Sequence, residues 1–196
     1  KKFQQALNKR TCPLPEYFDS TLEILTSKGI SFCGAGKSVY EASKPVLFDE
    51  GKGQVLLFNA CWNFLLYNHS NPSKGVYVAE INEARILHAV REQKNLNRNA
   101  SIVVFLHWSF DLEILPFPMY RQFSRDLIDA GANIVVGTHS HCPQGGEKYK
   151  DGFIVYGLGN FFLPYNTFIG GDLTFPDFAR IEMALEWDPF TNKAIC

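Results

Sequence analysis

Apolar residues fall along this chain in two rhythms. In Pro15–Lys28, Phe18, Leu22 and Leu25 share one helical face. Pro15 suits a first turn there, and Gly29 suits the left-handed residue that closes a helix. Asn82–Lys94, with Ile86, Leu87 and Val90 on one face, and Met119–Ala130, closed by Gly131, read the same way. Ser101–Leu106, Asn133–Gly137 and Phe153–Tyr156 are instead short unbroken apolar runs, as expected of strands buried on both faces. Pro45–Asp49 and Gln54–Asn59 read as two strands around the turn Glu50-Gly51-Lys52-Gly53. Ile30–Cys33 and Val76–Ile81 read as further short strands, Gly34-Ala35-Gly36 as a turn, and Ser38–Ser43 as a short helix stopped by Pro45. Residues 60–75 read as a long polar-aromatic loop. From Ile181 to Trp187 apolar and polar residues alternate, the pattern of a half-exposed strand. Alternating helices and strands predict an α/β fold. The late strands lack helices between them, which predicts that part of the sheet is antiparallel or lies in a second sheet.

Composition narrows the class. The length of 196 residues predicts one domain over 1–196 with a sizeable core. Charge is almost balanced, 19 Lys and Arg against 20 Asp and Glu, and no block of like charge occurs, which argues against nucleic acid as a partner. No apolar run reaches the ~18 residues of a membrane span. The five cysteines, Cys12, Cys33, Cys61, Cys142 and Cys196, are odd in number and form no C-x-x-C, which argues against a disulfide framework or a zinc ribbon. The chain opens Lys1-Lys2-Phe3 without Met or a signal-peptide pattern, as expected of a processed product or a piece of something longer.

Two of the buried-strand patterns end in histidine: Ile102-Val103-Val104-Phe105-Leu106-His107 and Ile134-Val135-Val136-Gly137-Thr138-His139-Ser140-His141. In α/β sheets ligands bind outside the carboxyl ends of the strands. Neighbouring strands lie ~4.8 Å apart, so adjacency of these two would bring three imidazoles into one crevice. Neutral imidazole suits zinc, iron and related ions. A hydrogen-bonded loop role is the plainer reading of any one histidine, such as His69 or His88. Ser31–Ser38 nearly fits the phosphate-loop pattern G-x-x-x-x-G-K-[ST], but Ser31 stands at the first position and Pro45 cuts the helix short. Cys142 follows His141, with nothing to place a general base beside it.

From about Leu7 to Trp187 an ordered series of motifs resembles the bacterial capsule synthesis proteins tied to poly-gamma-glutamate, within the calcineurin-like metallophosphoesterase superfamily. Thr21-Leu22-Glu23-Ile24-Leu25, Gly29-Ile30, Gly34-Ala35-Gly36, Glu41-Ala42 and Pro45 follow in the family's order. His107-Trp108-Ser109-Phe110-Asp111 resembles H-W-G-x-E. Asp129-Ala130-Gly131-Ala132-Asn133 precedes Val135–His141, which resembles G-H-H-P-H, and Gln144-Gly145 follows. Tyr156-Gly157-Leu158-Gly159-Asn160-Phe161 resembles Y-S-L-G-N-F.

The resemblance implies a four-layer α/β/β/α sandwich lacking its N-terminal strands, with the site at the strand ends. It implies His107, His139 and His141 as metal ligands, for one or two divalent transition ions such as manganese, iron or zinc. Asp111 and Asn160 are the implied catalytic-site residues, Asp111 facing substrate or supporting a ligand and Asn160 in a supporting role. The family's opening Gly-Asp is absent; Gly171-Asp172 lies far downstream. Aligned back from Thr21, A-N-N-H falls on Ala6-Leu7-Asn8-Lys9, making Asn8 a metal ligand and putting Lys9 where the histidine would be.

The implied activity is a metal-dependent hydrolase acting on a phosphoester or a polyglutamate-like anionic substrate, at the cell envelope or outside the cell. The alternative is a non-catalytic protein that binds or assembles capsule polymer, with the histidines, Lys9, Arg121 and aromatics as its groove. A nucleotide binder using Lys37 is the third expectation.

Overall fold

The computed structural model describes residues 15–49, 51, 53–62, 70–162, 168–169 and 173–195. Asn8 and Lys9, and with them Cys12, His69 and Gly171-Asp172, lie outside the described residues. The protein is α/β. Its centre is a six-stranded sheet of β2 (Val46–Asp49), β3 (Gln54–Cys61), β5 (Ser101–His107), β6 (Ile134–Thr138), β7 (Pro143–Tyr149) and β8 (Gly152–Leu158). The strand order is β2-β3-β5-β6-β8-β7. The four inner strands run parallel, and β2 and β7 pair antiparallel at the two edges.

The alternation of β5 assigns its two faces. Ile102, Val104 and Leu106 point to the helical side, where they meet Ile86 and Val90 of α3 (Glu83–Leu96) and Tyr120, Phe123 and Leu127 of α4 (Pro118–Asp129). Val103 points to the other side, with Ile134 and Val136 of β6, and there Leu185 and Trp187 pack over it. Trp187 belongs to a hairpin of β9 (Glu186–Asp188) and β10 (Lys193–Ile195). Helices, main sheet and this second small sheet are the layers that the described residues display.

Local chemistry sets the ends of the elements. The helix α1 (Pro15–Ser27) closes as predicted at Gly29, which takes a φ of +66°. Asn82 caps α3 by accepting the Arg85 N–H at 3.0 Å. Asn133 joins three strands at their amino ends: its side chain accepts the Ile102 N–H at 2.9 Å and its carbonyl accepts the Phe153 N–H at 3.0 Å.

Some expectations need correction. Ile30–Cys33 is not a strand; the neighbouring β1 (Ala35–Gly36) pairs instead with β4 (Tyr77–Val78), so the expected turn is partly sheet and the longer strand at Val76–Ile81 shrinks to two residues. The alternation over Ile181–Trp187 yields strand only from Glu186, with Glu182 in an isolated bridge to Gly159 before it. β7 escapes hydropathy altogether, being an edge strand with Gly145, Gly146, Glu147 and Lys148 in its middle. The phosphate-loop resemblance fails as well. The helix α2 (Val39–Ser43) has five residues, its first turn carries the Glu41 carboxylate on the Lys37 N–H at 2.8 Å, and the Lys37 amine is paired with Asp19.

Among the described glycines, Gly137 sits closest to its neighbours. A Cβ there would overlap the Tyr156 carbonyl oxygen and the Trp108 indole nitrogen. That indole donates to the same Tyr156 carbonyl at 3.2 Å and stacks on Tyr120 with ring centroids 4.7 Å apart. Gly137→Ala is expected to destabilise the protein by about 2–3 kcal/mol, read as a lowered denaturation midpoint with an unchanged slope.

A second lock ties α4 to β7 and β8. Arg125 donates to both Glu147 carboxylate oxygens, at 2.9 and 2.8 Å, and the Tyr156 hydroxyl donates to Glu147 at 2.6 Å. The Arg125 hydrogen bonds hold the Glu147 carboxyl down at about 2, and burial followed by the Glu147 carboxylate holds the Tyr156 phenol up at about 12. Because the folded value of Glu147 lies below its ordinary 4.5, its contribution is complete above that pH and is lost as pH falls through about 2. Glu147→Gln should therefore melt below the wild type at neutral pH, and thermal scans should show the gap closing across that window.

Candidate functional site

β5 and β6 are immediate neighbours, with His107 in register with Thr138. This adjacency brings the three histidines to one end of the sheet. His107 ends β5, and its Nδ1 lies 3.3 Å from the Thr138 hydroxyl. The rings of His107 and His139 are 4.5 Å apart, and those of His139 and His141 are 6.1 Å apart.

Asp111 comes from the loop after β5 and lies over this pair. One carboxylate oxygen faces His139 Nε2 at 3.4 Å and His141 Nε2 at 4.0 Å. Burial pulls the His139 imidazole below its ordinary value, against the opposing pull of Asp111, and His141 adds to the lowering. At neutral pH His139 therefore offers a lone pair.

Asn160 fixes the tautomer of His141. Its Nδ2 donates to the His141 carbonyl at 2.9 Å and to the Ala179 carbonyl at 2.8 Å. Those two bonds leave Oδ1 as the acceptor, 2.6 Å from His141 Nδ1. The proton is thus assigned to Nδ1, and Nε2 is the nitrogen directed toward Asp111. Phe175 supports the other side of the ring, with centroids 5.1 Å apart. Beside His107 opens a cleft of about 520 Å³ walled by Gly34, Leu57, Asn59, Cys61, Phe105 and Thr138.

The structure brings His107, His139, His141, Asp111 and Asn160 together; it describes nothing of Asn8. Imidazole and carboxylate suit a borderline divalent ion in kind. Among the described residues, however, no three His, Cys, Asp or Glu side chains are gathered into a set that could hold one. The donors thus fit in chemistry, but the described set is incomplete. Cys142 is no nucleophile in this arrangement: it is buried, burial raises its thiol, and its Sγ is 3.0 Å from the Glu113 carbonyl. Arg121 sits 3.8 Å from Glu147 rather than among the histidines.

What hydropathy could not show is the backbone. Six described non-glycine residues have positive φ, and four of them belong to the two loops of this site: Ser109 (+77°), Leu112 (+64°), His139 (+100°) and His141 (+57°). Strained backbone collects at functional sites and persists where surrounding contacts over-determine it. Here the loops hold each other, through Trp108 N–H to the Thr138 carbonyl at 3.1 Å and Leu112 N–H to the Ser140 carbonyl at 2.8 Å.

The chain matches the family described as Bacterial capsule synthesis protein PGA_cap over residues 15–165. It belongs to this family. It is 30% identical over 147 residues to the PGA biosynthesis protein CapA of Bacillus subtilis, covering 72% of this chain and 37% of that protein. It is 42% identical over 60 residues to the capsule biosynthesis protein CapA of Bacillus anthracis, covering 31% of this chain and 15% of that protein. A probable polyglutamine synthesis accessory protein of Mycobacterium tuberculosis is 32% identical over 93 residues, 47% of this chain and 24% of that protein. The chain thus spans well under half the length of these capsule-related proteins.

Ser109 carries a readable signal, since it stands at the glycine position of the H-W-G-x-E pattern. Its left-handed φ explains that glycine, and its hydroxyl is fully buried with no hydrogen-bond partner. Ser109→Gly is expected to stabilise the fold by about 1–2 kcal/mol, through relief of the φ and removal of the buried hydroxyl. Chemical denaturation of the two proteins checks this, and an unchanged or lowered midpoint would refute it.

Proposed function

We propose that this chain carries the histidine-bearing part of a metal-dependent hydrolase that acts in capsule-polymer synthesis, on a polyglutamate-type polymer or a phosphoester. The observation that carries the reading is the convergence of His107, His139 and His141, under Asp111, at the adjacent carboxyl ends of two parallel strands. The names of the capsule and polyglutamate proteins it resembles support the substrate class. His107, His139, His141 and Asn8 would hold the ion, which when bound supplies a Lewis acid and a water of lowered pKa.

The remaining work falls to the chain's own groups. Asn160 keeps the proton on His141 Nδ1, so that Nε2 is the nitrogen directed toward Asp111. Burial keeps His139 neutral, ready to ligate or to accept a proton at Nε2. Asp111, 65% exposed and opposite both Nε2 atoms, is the base that accepts a proton from the attacking water.

A second reading, polymer binding without turnover, draws on the incomplete ligand set among the described residues. The deciding measurement is elemental analysis of protein purified without chelator, wild type beside His139→Ala, together with turnover of poly-gamma-glutamate and of phosphoester substrates. The hydrolase reading expects about one or more equivalents of a transition ion in the wild type. It also expects turnover and metal affinity to fall at least ~10–100-fold in His139→Ala. Polymer affinity that survives both the substitution and chelation, without turnover in the wild type, would favour the binding reading instead.

A further inference from the structure

We propose that Asn59 is a substrate-binding residue of this site. Its side-chain amide pairs with an amide bond of a γ-linked polyamide, and the cleft beside His107 takes the uncharged backbone of that polymer rather than its carboxylates. The inference rests on the reading of the substrate as a polyglutamate-type polymer, and it favours that polymer over a phosphoester.

The alternation of β3 assigns Asn59 to the cleft. Leu56, Phe58 and Ala60 are buried on the helical side, so Leu57, Asn59 and Cys61 lie on the opposite face. Register carries the placement across the sheet: Cys61 is level with His107, and His107 with Thr138. Asn59 stands one step earlier on that face, level with Phe105. Strands ~4.8 Å apart, with a rise of ~3.3 Å per residue, put its Cα ~8 Å from that of His107. Asn59 and His107 both line the cleft of about 520 Å³. Asn59 is exposed, and among the described residues its amide makes no hydrogen bond. Gly34 makes room for it, since a Cβ there would lie 2.9 Å from Asn59 Nδ2. The amide therefore lies against the Gly34 backbone with its donors and its acceptor uncommitted.

The lining decides what the cleft takes. Leu57, Val78 and Phe105 are apolar, and among the described residues no Lys, Arg, Asp or Glu lines it. An ionised phosphate or carboxylate drawn into such a place loses water and gains no countercharge. A secondary amide carried on methylenes loses less and finds both its partners, because a carboxamide accepts from the N–H and donates to the C=O. A γ-linked glutamyl backbone has that chemistry, with each carboxylate on a side branch. At standard bond lengths one extended repeat spans about 6 Å, of the order of the spacing from Asn59 to His107. An amide bound at Asn59 thus brings the next one toward the histidine, while the carboxylates stay in water.

The test is the binding of fluorescently labelled γ-glutamyl oligomers to the full chain, by anisotropy, with the α-carboxylates either free or capped as methyl esters. The variants are Asn59→Leu, Asn59→Asp and Asn59→Gln. Asn59→Leu should weaken binding of both oligomers about five- to tenfold, and Asn59→Gln, which keeps the amide, should recover part of the loss. Asn59→Asp should weaken the capped oligomer about threefold, because a carboxylate cannot donate to the amide carbonyl. It should weaken the free-acid oligomer further, through a repulsion that salt reduces. If melting shows that Asn59→Leu does not fold, Asn59→Asp with the capped oligomer decides. A wild type that binds the oligomers, with folded Asn59→Leu or Asn59→Asp binding as tightly, overturns the inference alone. Wild-type binding that is lost on capping overturns it too, since charge would then be the feature recognised. A wild type that binds neither oligomer removes the polyglutamate reading, and the inference with it.

Discussion

The indole of Trp108 lies beneath the ends of β6 and β8 because position 137 has no side chain. That contact determines more than its own energy. The indole hydrogen bond to the Tyr156 carbonyl joins the end of β5 to β8 across β6, and the stack on Tyr120 adds α4. The residues on either side of these anchors are those of the candidate site. His107 precedes Trp108, His139 lies two residues beyond Gly137, and Asn160 lies four beyond Tyr156. One buried aromatic ring thus sets the level of a platform from which His107, His139 and Asn160 project.

On that platform the backbone departs from regular conformations. A strand that continued through Thr138 would alternate its side chains, and two histidines at 139 and 141 would share one side of an extended ribbon. The positive φ values at both turn the chain back instead, so that both Nε2 atoms face a single Asp111 oxygen. The facing loop is bent in the same way at Ser109 and Leu112. Such conformations cost energy individually, and each loop supplies the other with hydrogen bonds that keep it bent. The Arg125–Glu147–Tyr156 network secures the same region from the helical side, and its charges are satisfied among themselves rather than turned toward the cleft.

Much of this was legible in the chain as written. The apolar runs at 101–106 and 133–137 are strands of the sheet interior, and the histidines that end them lie at the carboxyl ends. Gly29 closes a helix, and Asn82 opens one. The glycine-rich Pro143–Tyr149 was not legible as a strand, because an edge strand needs hydrogen bonds from one neighbour and little burial, and so leaves no hydropathic mark. Ile30–Cys33 was misread in the opposite sense, since an apolar run of four residues becomes a strand only where a neighbour is in position to pair.

The sequence alone determined which residue types could meet, and roughly where: buried runs make inner strands, and a histidine placed after such a run must emerge at its end. It also carried the order of motifs that marks the capsule synthesis family. Tertiary structure decided which strands are adjacent, and hence that His107 and His139 stand 4.5 Å apart. It decided too that Asn160 and Ala179, far along the chain, are joined to His141 by one side-chain amide. Periodicity is a local property read over a few residues. Adjacency is a property of the whole sheet, set by packing among residues scores of positions apart, and no local pattern contains it.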